Sequence, residues 1–145
     1  MHYPSATEKP PQPRYGFGIT LSGELDQVVE IVTEALHREG FGVLSDIDVA
    51  ATMQRKLGKE MADYRVLGAC NPALADQLLN LEVDAGLLLP CNVVIRALGP
   101  GSFQVEFVDP EVMLAVLQLP EAAHLARSAR EKLQRVRDIL AASSA

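Results

Sequence analysis

Residues 64–82, YRVLGACNPALADQLLNLE, contain the switch from strand to helix on which the fold turns. Tyr64 to Cys70 reads as a strand, and Asn71-Pro72 closes it. An asparagine side chain accepts the first free amides of a helix, and proline suits the first helical position, where no amide is needed. A helix is therefore predicted directly after Cys70, with Leu74, Ala75, Leu78 and Leu79 inward and its end between Glu82 and Gly86.

Upstream of this stretch, Tyr15, Phe17, Ile19 and Leu21 alternate with Gly16, Gly18 and Thr20, the pattern of a half-buried first strand. Leu25, Val28, Val29, Val32, Ala35 and Leu36 then recur at helical spacing, with Ser22 or Thr20 as the expected cap and Gly40 as the stop. Phe41 to Val49 reads as a second strand and Ala50 to Met61 as a second helix with Lys56, Lys59 and Glu60 on its polar side. Before all of these, Met1 to Arg14 carries Pro4, Pro10, Pro11 and Pro13, so a flexible extended tail is expected, leaving one domain over residues 15–142.

Downstream, Leu87 to Leu98 reads as a strand in which Pro90 points to a sheet edge or a bulge. Gly99-Pro100-Gly101-Ser102 turns it into a strand with Phe103, Val105 and Phe107 on one face, making a hairpin. Asp109-Pro110 repeats the logic of Asn71-Pro72 and opens a short helix through Met113 and Leu114. Pro120 begins the last helix, where Ala122, Leu125, Ala126, Ala129, Leu133, Val136 and Leu140 form an apolar stripe beside a basic surface of Arg127, Arg130, Lys132, Arg135 and Arg137. The order β-α-β-α-β-α-β-β-α predicts a single small α+β domain, one sheet with helices packed mainly on one face. If the third strand, the helix after it and the fourth strand form a right-handed crossover, those strands are parallel neighbours.

The charge balance of 19 acidic against 13 basic residues, net -6, excludes a surface built for nucleic acid or anionic membrane, which requires clustered Lys and Arg. No tryptophan and few aromatic residues leave no platform for stacking bases. There is no apolar run of the roughly 18 to 20 residues a spanning helix needs and no signal-peptide core, so a cytoplasmic location is expected. Two cysteines in a chain of this size make no disulfide framework, and in a reducing compartment both are expected as free thiols.

Those cysteines are the main candidates for chemistry. Cys70 directly precedes a helix N-terminus, whose dipole is expected to lower a thiol pKa and strengthen the thiolate; the plainer alternative is a small apolar residue closing the strand. Cys91 is in phase with Leu87, Leu89, Val93 and Ile95, so it is expected to face the core unless Pro90 re-aims it. On parallel strands Cys70 would sit about 20 Å from Tyr64 and Cys91 about 13 Å from Leu87. That offset of some 7 Å is too long for a relaxed disulfide, but a small shift of either strand start closes it, so a site shared by the two thiols stays open.

Asp109 is expected as a helix cap before an acid, and Asp46 and Asp48 as a solvated edge before a cation site. The three histidines, His2, His37 and His124, are scattered, with no Cys-x-x-Cys and no His-x-x-x-His, which argues against a structural zinc. His37, His124 or a thiol at a subunit interface remain as ligands for an open-coordinated metal or a haem. Gly16-Phe17-Gly18 lacks the third glycine of a dinucleotide loop, and no catalytic triad is recognisable.

Taken together, Tyr64-x-Val66-Leu67-Gly68-Ala69-Cys70-Asn71-Pro72, Leu88-Leu89-Pro90-Cys91-Asn92-Val93 and Val108-Asp109-Pro110-x-x-Met113 resemble the domain of unknown function 302 family over roughly Tyr15 to Leu140. The resemblance implies a small α+β fold that tends to dimerise. It brings no established activity, though paired cysteines invite a thiol, metal or sulfur-handling reading.

Three functions follow from these residues. The first is a small homodimeric binding protein whose site, near Cys70, Asn71, Pro90, Cys91 and Asp109, holds a small ligand, a thiol adduct or a cofactor such as a metal or haem. The second is a thiol enzyme, for sulfur transfer or redox, with Cys70 as nucleophile. The third is a structural or partner-binding module using the last helix.

Overall fold

Alternation along the predicted strands is answered by one antiparallel sheet in the computed structural model, which describes residues 12–143. The chain runs β1 (Gly16–Ser22), α1 (Leu25–Arg38), β2 (Gly42–Asp48), α2 (Val49–Leu57), β3 (Tyr64–Cys70) and α3 (Pro72–Leu81). A 3-10 segment (Val83–Leu88) follows, then β4 (Cys91–Gly99), β5 (Ser102–Val108), α4 (Pro110–Leu114), a 3-10 turn (Ala115–Leu117) and α5 (Pro120–Ser143). In space the strands lie in the order β1-β5-β4-β3-β2. The predicted α+β class and order of elements hold; the tail expected over residues 1–14 lies outside the described residues as far as residue 11.

The parallel crossover does not form. β3 and β4 are antiparallel, in a register from Tyr64 opposite Arg96 to Ala69 opposite Cys91. The connection decides this: α3 carries the chain away from the end of β3, and the 3-10 segment brings it back to that same end. Cys70, the last residue of β3, and Cys91, the first of β4, are thereby placed at one end of the sheet.

β4 also starts later than its apolar run suggests. Val83 to Leu88 is wound into 3-10 turns, opened by the Glu82 carboxylate accepting from the Asp84 amide at 3.2 Å. Leu87 and Leu89 therefore lie outside the strand, and only Val93 and Ile95 continue the phase of Cys91. Pro90 stands just before the first ladder pair of an interior strand, so its missing donor costs the ladder nothing; the irregularities are elsewhere, between Val43 and Ser45 and between Ala97 and Gly99.

Local capping explains the other boundaries. α1 has Glu24 at its N-cap with no side-chain bond, because Ser22 is paired into β1 and Thr20 donates its hydroxyl across the sheet to Gln104 at 2.8 Å. α2 is shorter than predicted: Asp48 accepts from the Ala51 amide at 2.9 Å, and Gly58 ends the helix in the left-handed conformation. Gly18 faces the backbone of β5 so closely that an added Cβ would lie 2.1 Å from the Val105 carbonyl oxygen. Only glycine fits there.

One face of the sheet carries Phe17, Leu21, Leu67, Ala69, Val93, Ile95, Val105 and Phe107 into a core shared with Val28, Val32 and Leu36 of α1 and Leu133, Val136 and Leu140 of α5. A second apolar cluster joins Leu78 of α3, Ala85, Leu114 of α4 and Ala122, Leu125 and Ala126 of α5. α5 thus spans both clusters, its C-terminal half on the sheet and its N-terminal half under α3 and α4. Leu79, expected inward on α3, is exposed, and the buried stripe runs through Leu78 instead.

The opposite sheet face is polar, with Arg96 and Gln104 buried to 6% and 3% exposure and Arg96 Nε 3.2 Å from a Glu106 carboxylate oxygen. The basic surface of α5 is largely neutralised. Arg130 meets Asp109 at 3.0 Å, Arg127 meets Glu111 at 3.5 Å, and Arg135 meets Glu39 at 2.7 Å. Arg130 and Arg137 also flank the Phe17 ring, at 5.8 and 5.2 Å from its centroid.

Candidate functional site

A cavity of about 40 Å³ lies where the two apolar clusters meet and fail to close. Phe41, Ala69, Cys70 and Cys91 line it on the sheet side, and Asn71 at the start of α3, Leu74 and Leu78 of α3, Met113 and Leu114 of α4, and Leu125 and Ala129 of α5 are among the residues that line the rest. Small side chains at Ala69, Ala129 and Cys91 leave the space open. It is too small for a haem, since sites enclosing ligands of that order run from about 300 to 1,000 Å³, yet it exceeds the roughly 10–15 Å³ that a single water requires.

Asn71 is held by the helix it begins. Its carboxamide oxygen accepts from the Leu74 amide at 3.3 Å, and its nitrogen donates to the Glu39 carbonyl at 3.4 Å. Pro72 occupies the first helical position and offers no amide. The helix start is therefore answered by Asn71, and burial pushes the Cys70 thiol up, against the lowering expected from its position before a helix. Cys91, 8% exposed, is pushed up to about 11 by burial first and by the nearby charge of Cys70 second. Both thiols are free.

The other candidates are placed elsewhere. Asp109 caps α4, accepting from the Glu111 amide at 2.9 Å, and its second oxygen takes the Arg130 guanidinium at 3.0 Å; it does not line the cavity. Pro90 lies against Gly68, where its Cγ would be 2.8 Å from an added Cβ. Asp46 pairs with Arg65, with Nε at 2.8 Å, and Asp48 is spent on its cap.

His37 is exposed near the end of α1, and His124 lines a separate groove with Glu121, Gln77 and Asn80. No three His, Cys, Asp or Glu residues gather as a metal site among the described residues. Two features escaped the sequence reading: Met113, a third sulfur-bearing residue that lines the cavity, and the Glu121-x-x-His124 spacing that puts both residues on the groove. Met113 was visible in the Asp-Pro-x-x-Met run, but its sulfur carried no signal until the fold placed it.

An antiparallel five-stranded sheet, backed on one face by helices and carrying a thiol-lined seam, defines a small α+β protein class. The chain belongs to the family described as Domain of unknown function DUF302, which it matches over residues 17–140. Its fold is shared by the crystal structure of an uncharacterized conserved DUF302 protein from Bacillus stearothermophilus, with a TM-score of 0.80 at 24% identity, covering 88% of this chain and 99% of that one. No curated protein matches the chain.

Proposed function

We propose that the chain is a binding protein for a small, soft guest held in the cavity between the two apolar clusters. The observation that carries this reading is that Cys70 and Cys91, distant in sequence, both line one cavity whose remaining wall is almost wholly apolar. A thiol enzyme is the weaker reading. Burial pushes both thiols up from their ordinary value, and among the described residues no histidine, lysine or carboxylate lines the cavity to take a proton.

Two measurements test it. Native mass spectrometry and an absorbance spectrum of protein purified from its own host should show a retained guest or a cysteine adduct. Xenon-129 NMR on the purified protein should show one apolar site, perturbed by Leu114→Phe. Unmodified mass together with no xenon uptake overturns the proposal.

The assembly we infer is a homodimer. Support comes from β2, which ends the strand order among the described residues and where Leu44 and Ile47 are 70% and 52% exposed. Multi-angle light scattering should give twice the chain mass, and Leu44→Lys should return it to one. Free thiols in both positions support a reducing compartment such as the cytoplasm.

A further inference from the structure

We infer, on the footing of the cavity-binding reading above, that the guest is a soft d10 monovalent cation of the Cu(I) class, held among the sulfurs of Cys70, Cys91 and Met113. Cys70, Cys91 and Met113 line one cavity from three elements, the end of β3, the start of β4 and α4. Thiolate and thioether donors together are the set that selects soft monovalent copper over hard cations.

The rest of the wall sharpens the selection. Among the described residues no carboxylate or imidazole lines the cavity, and the polar side chain there, Asn71, already has its oxygen on the Leu74 amide and its nitrogen on the Glu39 carbonyl. Magnesium and calcium take oxygen ligands, and magnesium retains several of its waters; a space of about 40 Å³ has neither the oxygens nor the room. Zinc in a closed site requires four ligands, and among the described residues the wall offers three, Cys70, Cys91 and Met113. A soft ion that exchanges its water for sulfur fits both limits.

Binding leaves the ion's oxidation state unchanged. Each thiol that ligates forms a sulfur–metal bond and releases its proton to solvent, while Met113 adds a lone pair and releases nothing. Protons compete for the same sulfurs, so affinity falls as pH falls.

The test uses the full reduced chain under anaerobic conditions, with Ag(I) as a redox-inert probe and Cu(I) presented through a competing chromophoric chelator. One ion per chain is expected by native mass spectrometry, with a sulfur-to-metal absorption band and proton release. Cys70→Ser and Cys91→Ser should each weaken binding by more than about 100-fold, and the near-isosteric Met113→Leu by roughly 10-fold. Circular dichroism verifies that each variant is folded, and Met113→Leu keeps the test open if a serine variant is not. Wild-type affinity in Cys91→Ser, or Zn(II) binding as tightly as Ag(I), overturns the inference. Xenon uptake without Ag(I) binding overturns it while leaving the cavity reading standing; failure of both removes the two together.

Discussion

Cys91 stands opposite Ala69 in the β3–β4 register, one residue from Cys70, so two thiols separated by a helix in sequence become neighbours at one end of the sheet. The burial of Cys91 has a consequence for pH. An unfolded thiol ionises near its ordinary value of 9.0, whereas folded Cys91 holds its proton up to about 11. Between those values the unfolded state loses a proton that the folded state keeps, so the contribution of Cys91 is full below pH 9 and is lost as pH rises toward 11. The loss is on the order of 2 to 3 kcal/mol. Urea denaturation of wild type and Cys91→Ala should show their stability difference shrinking from pH 7 to pH 10.5; a difference independent of pH would contradict the assignment.

Alkylation reads the same environment kinetically. Cys70 should react with iodoacetamide more slowly than a free thiol at pH 8, and Cys91 only when the protein unfolds. Peptide mass spectrometry over a pH series distinguishes the two. A Cys70 faster than a free thiol would restore the nucleophile reading.

Leu114 connects the second apolar cluster to the cavity wall. Leu114→Ala should cost about 2 to 4 kcal/mol, the transfer term plus the enlarged cavity. The same variant should take up more xenon than wild type. Destabilisation under about 1 kcal/mol would mean that α4 collapses into the space.

Asp109 serves a cap and an ion pair at once. Asp109→Ala should lower unfolding free energy by about 1 to 2 kcal/mol, and Asp109→Asn should recover the capping part of that loss. Arg130→Ala removes the pair and also the cation over Phe17, so its cost should exceed that of Arg127→Ala, whose side chain is largely exposed.

Gly18 offers a test of close backbone approach. Gly18→Ala should cost at least about 2 kcal/mol, because the obstructing Val105 carbonyl belongs to a paired strand and has little freedom to move. A thermal melt within about 2 °C of wild type would contradict this.

Much of the fold is legible in the sequence because the signals concerned are local. Asn71-Pro72 and Asp109-Pro110 give their helix starts through caps that need only neighbouring amides. Alternation fixes which face Phe17, Val93, Val105 and Phe107 present to the core, and helical spacing does the same for Val28, Val32, Leu133 and Val136. The errors are also local in origin. Leu87 and Leu89 continue the phase of Cys91 on paper, but Val83–Leu88 is wound into 3-10 turns that periodicity does not distinguish from an apolar strand.

The sequence by itself determined the elements, their order and the burial of Cys91, since each depends on spacing and capping within a few residues. Only the tertiary structure decided that β3 and β4 run antiparallel, because the direction of β4 depends on where α3 and its 3-10 segment return the chain. That choice brings Cys70 to Cys91, and the packing of α4 beneath α5 adds Met113 to them. Desolvation within that packing, which no local motif encodes, pushes the Cys70 thiol up, against the lowering expected from its place before α3.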